Sequence, residues 1–216
     1  HEIKNPLTPI QLTIDRLKSK YSTYLNDNDK EKFKENLKII NNQIKQIEKL
    51  VNEFSDFARM PKPIFRENNL VDLINENIKL LKELDNSIDI TFNKNSDNVL
   101  INSDKEQISR VFLNLIKNSI ESINQKAQKN SNFNKKITIE LTQDDRHIKA
   151  SFEDNGIGFS QLKDNIKDIL NPYFTTKKDG TGLGLSIVNK IVNDHNGKIY
   201  FIPIKNGAKI DVIFFK

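Results

Sequence analysis

The sequence predicts an α+β protein in two parts, a helical hairpin followed by a layer of helices on a mixed sheet. Three observations predict it. Two long apolar stripes at heptad spacing are confined to the first 58 residues; a proline-bounded break follows them directly; and beyond the break amphipathic helical stretches alternate with short strand-like runs. The chain of 216 residues is 36% hydrophobic and 29% charged, which is apolar enough to fold and charged enough to stay in solution.

In the first stripe Ile3, Leu7, Ile10, Ile14, Leu17 and Tyr21 recur at steps of four and three, the signature of a helix in a supercoiled bundle. The polar stretch Ser22 to Asn28 reads as a turn, and a second helix is expected to begin near Asp29. Its stripe is Phe33, Leu37, Ile40, Ile44, Ile47, Val51, Phe54 and Ala58. A single hairpin cannot bury both seams, so a homodimer through residues 1–59, forming a four-helix bundle, is expected. The alternative is a monomeric hairpin packed on the rest of the chain.

Met60, Pro61, Lys62 and Pro63 end the second helix, because proline lacks the amide donor and restricts its predecessor. They divide the chain into domains 1–60 and 64–216. In the second, Leu70 to Leu84 reads as a helix, and Ile88 to Phe92 and Val99 to Ile101 read as strands. Ser103 and Asp104 are capping residues before a long helix carrying Ile108, Val111, Phe112, Leu115, Ile116 and Ile123. Gln125 to Lys135 reads as a loop, and Lys136 to Thr142 and His147 to Glu153 as a strand pair turned by Asp144 and Asp145. A glycine-bearing segment then leads to a helix at about Leu183 to Asn196, and strands Lys198 to Ile202 and Ala208 to Phe215 close the chain.

Zero cysteines exclude disulfides, thiolate metal sites and cysteine nucleophiles. The net charge of +5 is spread through interspersed acids and bases, which implies mild attraction to acidic partners and does not imply nucleic acid. No run approaches the roughly 18 apolar residues of a membrane helix. Because the sequence opens on His1, it reads as a cytoplasmic piece of a longer protein, with any sensor or membrane anchor expected only in a missing upstream segment.

Four clusters can carry chemistry. In His1-Glu2-Ile3-Lys4-Asn5-Pro6, the seam position of Ile3 leaves His1 beside the apolar stripe yet able to reach solvent. A neutral imidazole nitrogen is a nucleophile near pH 7, and Glu2 is placed to accept its proton; the bland alternative is an exposed His-Glu pair. Pro6 should kink the helix just below. In Asn114-Leu115-Ile116-Lys117-Asn118, two asparagines four apart share one helix face beside an apolar stripe. Amide oxygens are hard ligands suited to Mg²⁺, although two solvent-facing asparagines would look the same. Asp154-Asn155-Gly156-Ile157-Gly158 ends a strand, and Gly180-Thr181-Gly182-Leu183-Gly184-Leu185 opens a helix. Glycines admit a ligand close to the backbone, and a helix N-terminus favours phosphate, yet neither pattern is the Rossmann or the Walker arrangement. Between them runs Asn171-Pro172-Tyr173-Phe174-Thr175-Thr176-Lys177-Lys178, which by itself would be a loop plugged into the core.

Taken in order, these blocks resemble the sensor histidine kinases of two-component systems, over essentially the whole chain. His1 to Pro6 is similar to the H-box, Asn114 to Asn118 to the N-box and Asp154 to Gly158 to the first glycine box. Phe174 and its neighbours are similar to the F-box, and Gly180 to Gly184 to the second glycine box. The H-box is most similar to that of nitrogen-regulation sensors of the NtrY type. The resemblance implies a dimeric phosphotransfer bundle joined to an α/β sandwich ATP-binding domain of the GHKL (Bergerat) type. It further implies that His1 takes the γ-phosphoryl group of ATP and passes it to an aspartate of a response-regulator receiver domain. By the same carry-over Glu2 is the general base, Asn118 the main Mg²⁺ ligand with Asn114 nearby, and Asp154 the reader of adenine. Gly156, Gly158, Gly180, Thr181, Gly182, Leu183 and Gly184 shape the nucleotide's surroundings, with Lys177 at hand to neutralise charge. Glu2 and Asn5 match the family's Glu-x-x-Asn pattern, which implies phosphatase activity toward the regulator as well. Three positions depart from the family: Leu170 stands for the first aromatic of the F-box, Asn171 for the acid after it, and Ser119 for the small alanine after Asn118. His147 and His195 match no motif and are expected to be structural, His195 as a cation at a helix C-terminus.

Overall fold

The structure, a computed structural model, describes residues 7–84, 86–128, 133–159, 166–177 and 180–216, with the side chains of Leu84, Ile166 and Lys167 outside the description. The chain divides into two compact units. One holds α1 (Leu7–Tyr21), α2 (Asp27–Ala58) and Lys177, Gly180 and Thr181; the other runs from Pro61 to Thr176 and from Gly182 onward.

In the helical unit, α2 begins at Asp27, two residues before the expected start. Asn26 caps it: its side-chain oxygen accepts the Asp29 N–H at 2.9 Å while its amide donates to the Asp29 carboxylate at 2.8 Å. Asp27 and Asp29 lie where the helix dipole favours anions. The last turn closes with the Arg59 N–H on Ser55 O at 3.0 Å, just ahead of Pro61. The two seams divide by register. Ile14, Leu37 and Ile44 are buried against each other, with Leu7 and Phe33 packed alongside. Ile10, Leu17, Ile40, Ile47 and Phe54, at alternate seam positions, and Tyr21 at the end of α1 are each 37% to 46% exposed. One hairpin therefore covers about half of its own stripe. The kink expected at Pro6 lies outside the described residues.

The second unit begins with β1 (Arg66–Asn69) and continues through α3 (Leu70–Leu84), β2 (Asp89–Lys94), β3 (Leu100–Ser103) and α4 (Lys105–Ala127). Then come β4 (Lys136–Gln143), β5 (His147–Asp154), a 3-10 turn (Ile166–Leu170), α5 (Gly184–Asp194), β6 (Gly197–Ile204) and β7 (Gly207–Phe215). The five-stranded sheet has the order β2-β4-β5-β7-β6, with β2 and β4 parallel and every other pair antiparallel. β1 and β3 form a separate antiparallel pair.

Alternation puts Ile137, Ile139, Leu141, Ile148, Ala150, Phe152, Ile210, Val212 and Phe214 on one buried face of the sheet. The apolar stripes of α3, α4 and α5 are buried with them, and the rings of Phe112 on α4 and Phe152 on β5 lie 5.6 Å apart. This is the α+β layer expected from the sequence. Three details differ. β1 is Arg-Glu-Asn-Asn, with no apolar alternation to announce it; it is a strand because β3 pairs with it. The 3-10 turn interrupts what reads as one glycine-bearing loop, anchored by Ile169 at 5% exposure. And α4 continues through Gln125, Lys126 and Ala127, good helix formers, to a cap at Gln128.

Asp104 joins the start of this unit to its core. Its carboxylate caps α4 by accepting the Gln107 N–H at 3.0 Å and accepts the Ile64 N–H at 2.8 Å. Burial pushes its carboxyl up, but the amides of Ile64, Gln107 and Glu106 outweigh burial and hold it below the usual range. Its own N–H donates to His195 Nε2 at 3.0 Å, while His195 Nδ1 meets Ile191 O at 2.8 Å. A nitrogen that accepts is unprotonated, so His195 is structural as expected but neutral, with Nδ1 carrying the hydrogen. The expected helix-end cation is corrected by that acceptor geometry. His147 stacks edge-on against Phe215 with centroids 5.3 Å apart, also a structural role.

Candidate functional site

α4 carries a polar stripe along one side. Asn114, Asn118, Ser122 and Lys126 recur every four residues, so they lie along one side of a helix whose other side is buried in the core. The Asn114 amide donates to Arg110 O at 2.9 Å, which leaves Oδ1 turned outward. That oxygen lies 3.6 Å from where a side chain on Gly184 would begin, so Asn114 faces the first residue of α5. Leu183 stands at the N-cap of α5 and its own side chain makes no capping hydrogen bond, at the end of the helix where the dipole is positive. Asn118, one turn along, is half-buried.

Asp154 ends β5 at 6% exposure. Burial pushes its carboxyl above the usual carboxylate range, opposed by the Gly156 amide, the Ser119 hydroxyl, the Ala208 amide and the Ser122 hydroxyl. The Gly156 N–H reaches Asp154 Oδ1 at 2.8 Å. Ser119, the departure from the family's alanine, is thus a donor to this carboxylate.

Two glycines are dictated by close approach. Gly158 has φ +66°, and a Cβ there would stand 2.2 Å from the carbonyl oxygen of Gly207, which itself has φ +134° and abuts the Asp154 carbonyl. Gly182, with φ +71°, lies against Tyr173, and the Tyr173 N–H donates to Gly182 O at 3.1 Å. The aromatic segment and the second glycine segment are therefore joined at that point. Contrary to the expectation of a plugged loop, Asn171, Pro172, Tyr173, Thr175 and Thr176 are exposed, while Phe174 and Lys177 are half-buried.

Asn114, Asn118, Asp154, Gly156, Gly158, Gly182, Leu183 and Gly184 thus lie in one unit. Lys177, Gly180 and Thr181 group with the helical unit, where the Thr181 hydroxyl donates to the Glu53 carboxylate. His1, Glu2 and Asn5 lie outside the described residues. Sequence reasoning passed over Ser122, Lys126 and Gly207. Continuing the four-residue step from Asn118 would have found the first two, and the Asn206-Gly207 turn pair the third.

The donor set can be tested against a metal ion. Among the described residues no three His, Cys, Asp or Glu side chains gather into a cage. The Asn114 amide oxygen beside the start of α5, with Asn118 one turn along the same helix, instead fits an ion that takes one or two protein oxygens and fills its shell with water and phosphate, as Mg²⁺ does. No helix among the described residues is long and apolar enough to cross a membrane.

Comparison with known proteins follows these features along the chain. Residues 1–63 match the family described as the His Kinase A (phospho-acceptor) domain. Residues 103–215 match the family described as histidine kinase-, DNA gyrase B-, and HSP90-like ATPase. An NtrY-like sensor histidine kinase of Rickettsia prowazekii is 38% identical over 215 residues, which are 99% of this chain and 34% of that protein. The nitrogen regulation protein NtrY of Azorhizobium caulinodans is 34% identical over 200 residues, 92% of this chain and 25% of that one. The chain thus spans about a third or less of the length of these curated relatives. Among solved structures, histidine kinase ThkA in complex with the response regulator protein TrrA matches with a TM-score of 0.69 at 30% identity, covering 100% of this chain and 59% of that one. The nucleotide-free catalytic domain of ThkA matches with a TM-score of 0.61 at 31% identity, covering 71% of this chain and 98% of that domain.

Proposed function

Since the chain belongs to the sensor histidine kinase family, we propose that it transfers the γ-phosphoryl group of ATP to His1 and then to an aspartate of a response-regulator receiver domain. The observation that supports this most is the α4 stripe. It runs from the Asn114 amide oxygen facing the start of α5 to the hydroxyl of Ser122, 3.4 Å from Asp154. One end suits phosphate and the other an adenine amino group.

In this reading domain 1–60 dimerises and accepts the phosphoryl group, and domain 64–216 binds ATP. A ring nitrogen of His1 forms the bond to γ-phosphorus as the bond to the ADP oxygen breaks, and Glu2 takes the imidazole proton. Asn118, with Asn114 beside it, holds Mg²⁺, which supplies charge neutralisation on the phosphates. Gly180, Thr181, Gly182, Leu183 and Gly184 surround the phosphates, and Lys177 adds a cation. With ATP as co-substrate, the reaction belongs to the cytoplasm. The test is labelling. Incubated with γ-labelled ATP, the chain should take up label that resists alkali and leaves in acid, and should pass it to one receiver domain of a panel. In the presence of ADP the chain should also speed loss of that receiver's phosphate, through Glu2 and Asn5. A chain that stays unlabelled in a preparation that binds ATP sinks the kinase reading.

The homodimer is supported by the half-exposed seam. Ile40, Ile47 and Phe54 on α2, with Ile10 and Leu17 on α1, offer the second half of a four-helix core. Placing a carboxylate there with Ile47→Glu should convert a dimer to a monomer in sedimentation equilibrium. A wild-type chain that sediments as a monomer at high concentration contradicts the dimer.

Asp154 makes nucleotide affinity depend on pH. Only the ionised carboxylate accepts freely from an amino group, and burial raises its pKa. Affinity for ADP should therefore fall as pH drops through a value above the ordinary carboxylate range, about 3.9 for an unperturbed Asp. Stability runs the other way: a raised folded-state pKa means that this group ceases to destabilise the fold as it becomes protonated. Calorimetric titration of ADP across pH should show that decline in the wild type and a flat, weak response in Asp154→Asn. Parallel profiles would remove Asp154 from base recognition.

A further inference from the structure

The loop after Asp154 is tied to α4 by two side chains to which the reaction above gives no step. Ser122 and Lys126 lie one turn apart on the same face as Asn114 and Asn118. The Ser122 hydroxyl accepts the Ile157 N–H at 3.1 Å. It fits tightly under the loop, since a Cβ on Gly156 would come within 2.2 Å of that hydroxyl. Lys126 is half-buried, and its ammonium donates to two consecutive carbonyls, Asn155 O at 2.7 Å and Gly156 O at 3.0 Å. The same ammonium lies 5.0 Å from the ring centroid of Phe133. From the other side the Asn155 side chain accepts the Lys136 N–H at 3.0 Å and donates to Asn134 O at 2.7 Å.

Successive carbonyls of a strand point to opposite sides, so one cation that holds two in a row fixes the chain in a turn immediately after Asp154. In that turn the Gly156 N–H comes back to Asp154 Oδ1. That bond, with those from the Ser119 and Ser122 hydroxyls and the Ala208 amide, fixes the orientation of the carboxylate. Charge-assisted bonds from a half-buried lysine are about twice as strong as neutral ones, and a cation at the last turn of α4 is favoured by the helix dipole. A solvent-facing lysine that merely ended the helix would hold neither carbonyl.

We infer that Lys126, aided by Ser122, is a positioning residue for recognition of the nucleobase: it holds the turn that orients Asp154 and touches no part of the nucleotide itself. This rests on the reading of Asp154 as the contact to adenine and deepens it.

The experiment compares the wild-type chain with Lys126→Met, which keeps the apolar stem, and Lys126→Arg, which can again donate to two carbonyls. ADP affinity is measured by calorimetry, and ATP and GTP are compared in the labelling assay. Lys126→Met should weaken ADP binding and raise KM for ATP by about tenfold, with kcat at saturating ATP within about twofold and the preference for ATP over GTP narrowed. Lys126→Arg should recover most of both. If Lys126→Met does not fold, Ser122→Ala carries the same expectation at about threefold, since it removes the hydroxyl that accepts from the Ile157 amide and donates to Asp154. Unchanged ADP affinity and unchanged selectivity in the folded variants overturn the inference while the wild type still binds ADP. A wild type that binds no ADP overturns the reading beneath it as well.

Discussion

With His1 replaced by glutamine, label from γ-labelled ATP should fall to background while ADP binds as before. Glutamine keeps a polar side chain of moderate length but has no nucleophilic ring nitrogen, so no phosphoramidate can form. Loss is complete rather than partial, because positioning and charge neutralisation accelerate a transfer only where an acceptor exists. Nucleotide affinity is the internal control. In the proposed reading it depends on Asp154, the α4 stripe and the start of α5, all in the unit that begins at Pro61. Label that persists in the variant, acid-labile and at comparable yield, would place the acceptor at another residue, His147 and His195 being the remaining histidines. Both are held by the fold: His195 is buried with its two ring nitrogens engaged, and His147 is packed on Phe215.

Asn118→Ala is expected to lower the autophosphorylation rate by about 10²- to 10³-fold, the cost of losing one preorganised charge-stabilising contact in a phosphoryl transfer. The loss should appear mainly in the Mg²⁺-dependent part of ADP affinity and in kcat. Removing the metal with a chelator should affect the wild type strongly and the variant little further. Asn118 is half-buried on a helix whose opposite face forms the core, so alanine, the best helix former, leaves the fold intact. Equal Mg²⁺ dependence in wild type and variant would take Asn118 out of the metal site and leave Asn114 as the residue to examine.

The fold was legible where side-chain periodicity is tied to burial. The heptad stripes of α1 and α2, the break at Pro61 and Pro63, and the alternation of β4, β5 and β7 all record which face turns inward. β1 was not legible, because Arg66 to Asn69 has no inward face to record and is a strand only through its partner β3. The 3-10 turn escaped for a related reason: it spans five residues, too few for a helical period to show. Motif order pointed to Asn114, Asn118, Asp154 and the glycines as a group. It gave no hint of Ser122, Lys126 or Gly207, whose contribution lies in contacts with backbone rather than in a recognisable residue pattern.

What the linear order of residues determined here is composition and direction: which residue types are present for phosphoryl chemistry, which helix faces are apolar, and where prolines stop them. Those follow from local rules acting over one or two turns of chain. Tertiary structure alone decided that the seam positions of one hairpin divide into a buried half and an exposed half. It also decided that His195 is an acceptor rather than a cation, and that a lysine two turns beyond Asn118 closes on consecutive carbonyls of a loop roughly 30 residues away. Such contacts depend on the distance between atoms remote in the chain, which no local periodicity encodes; folding brings them together, and only then do charge and hydrogen-bond geometry select among them.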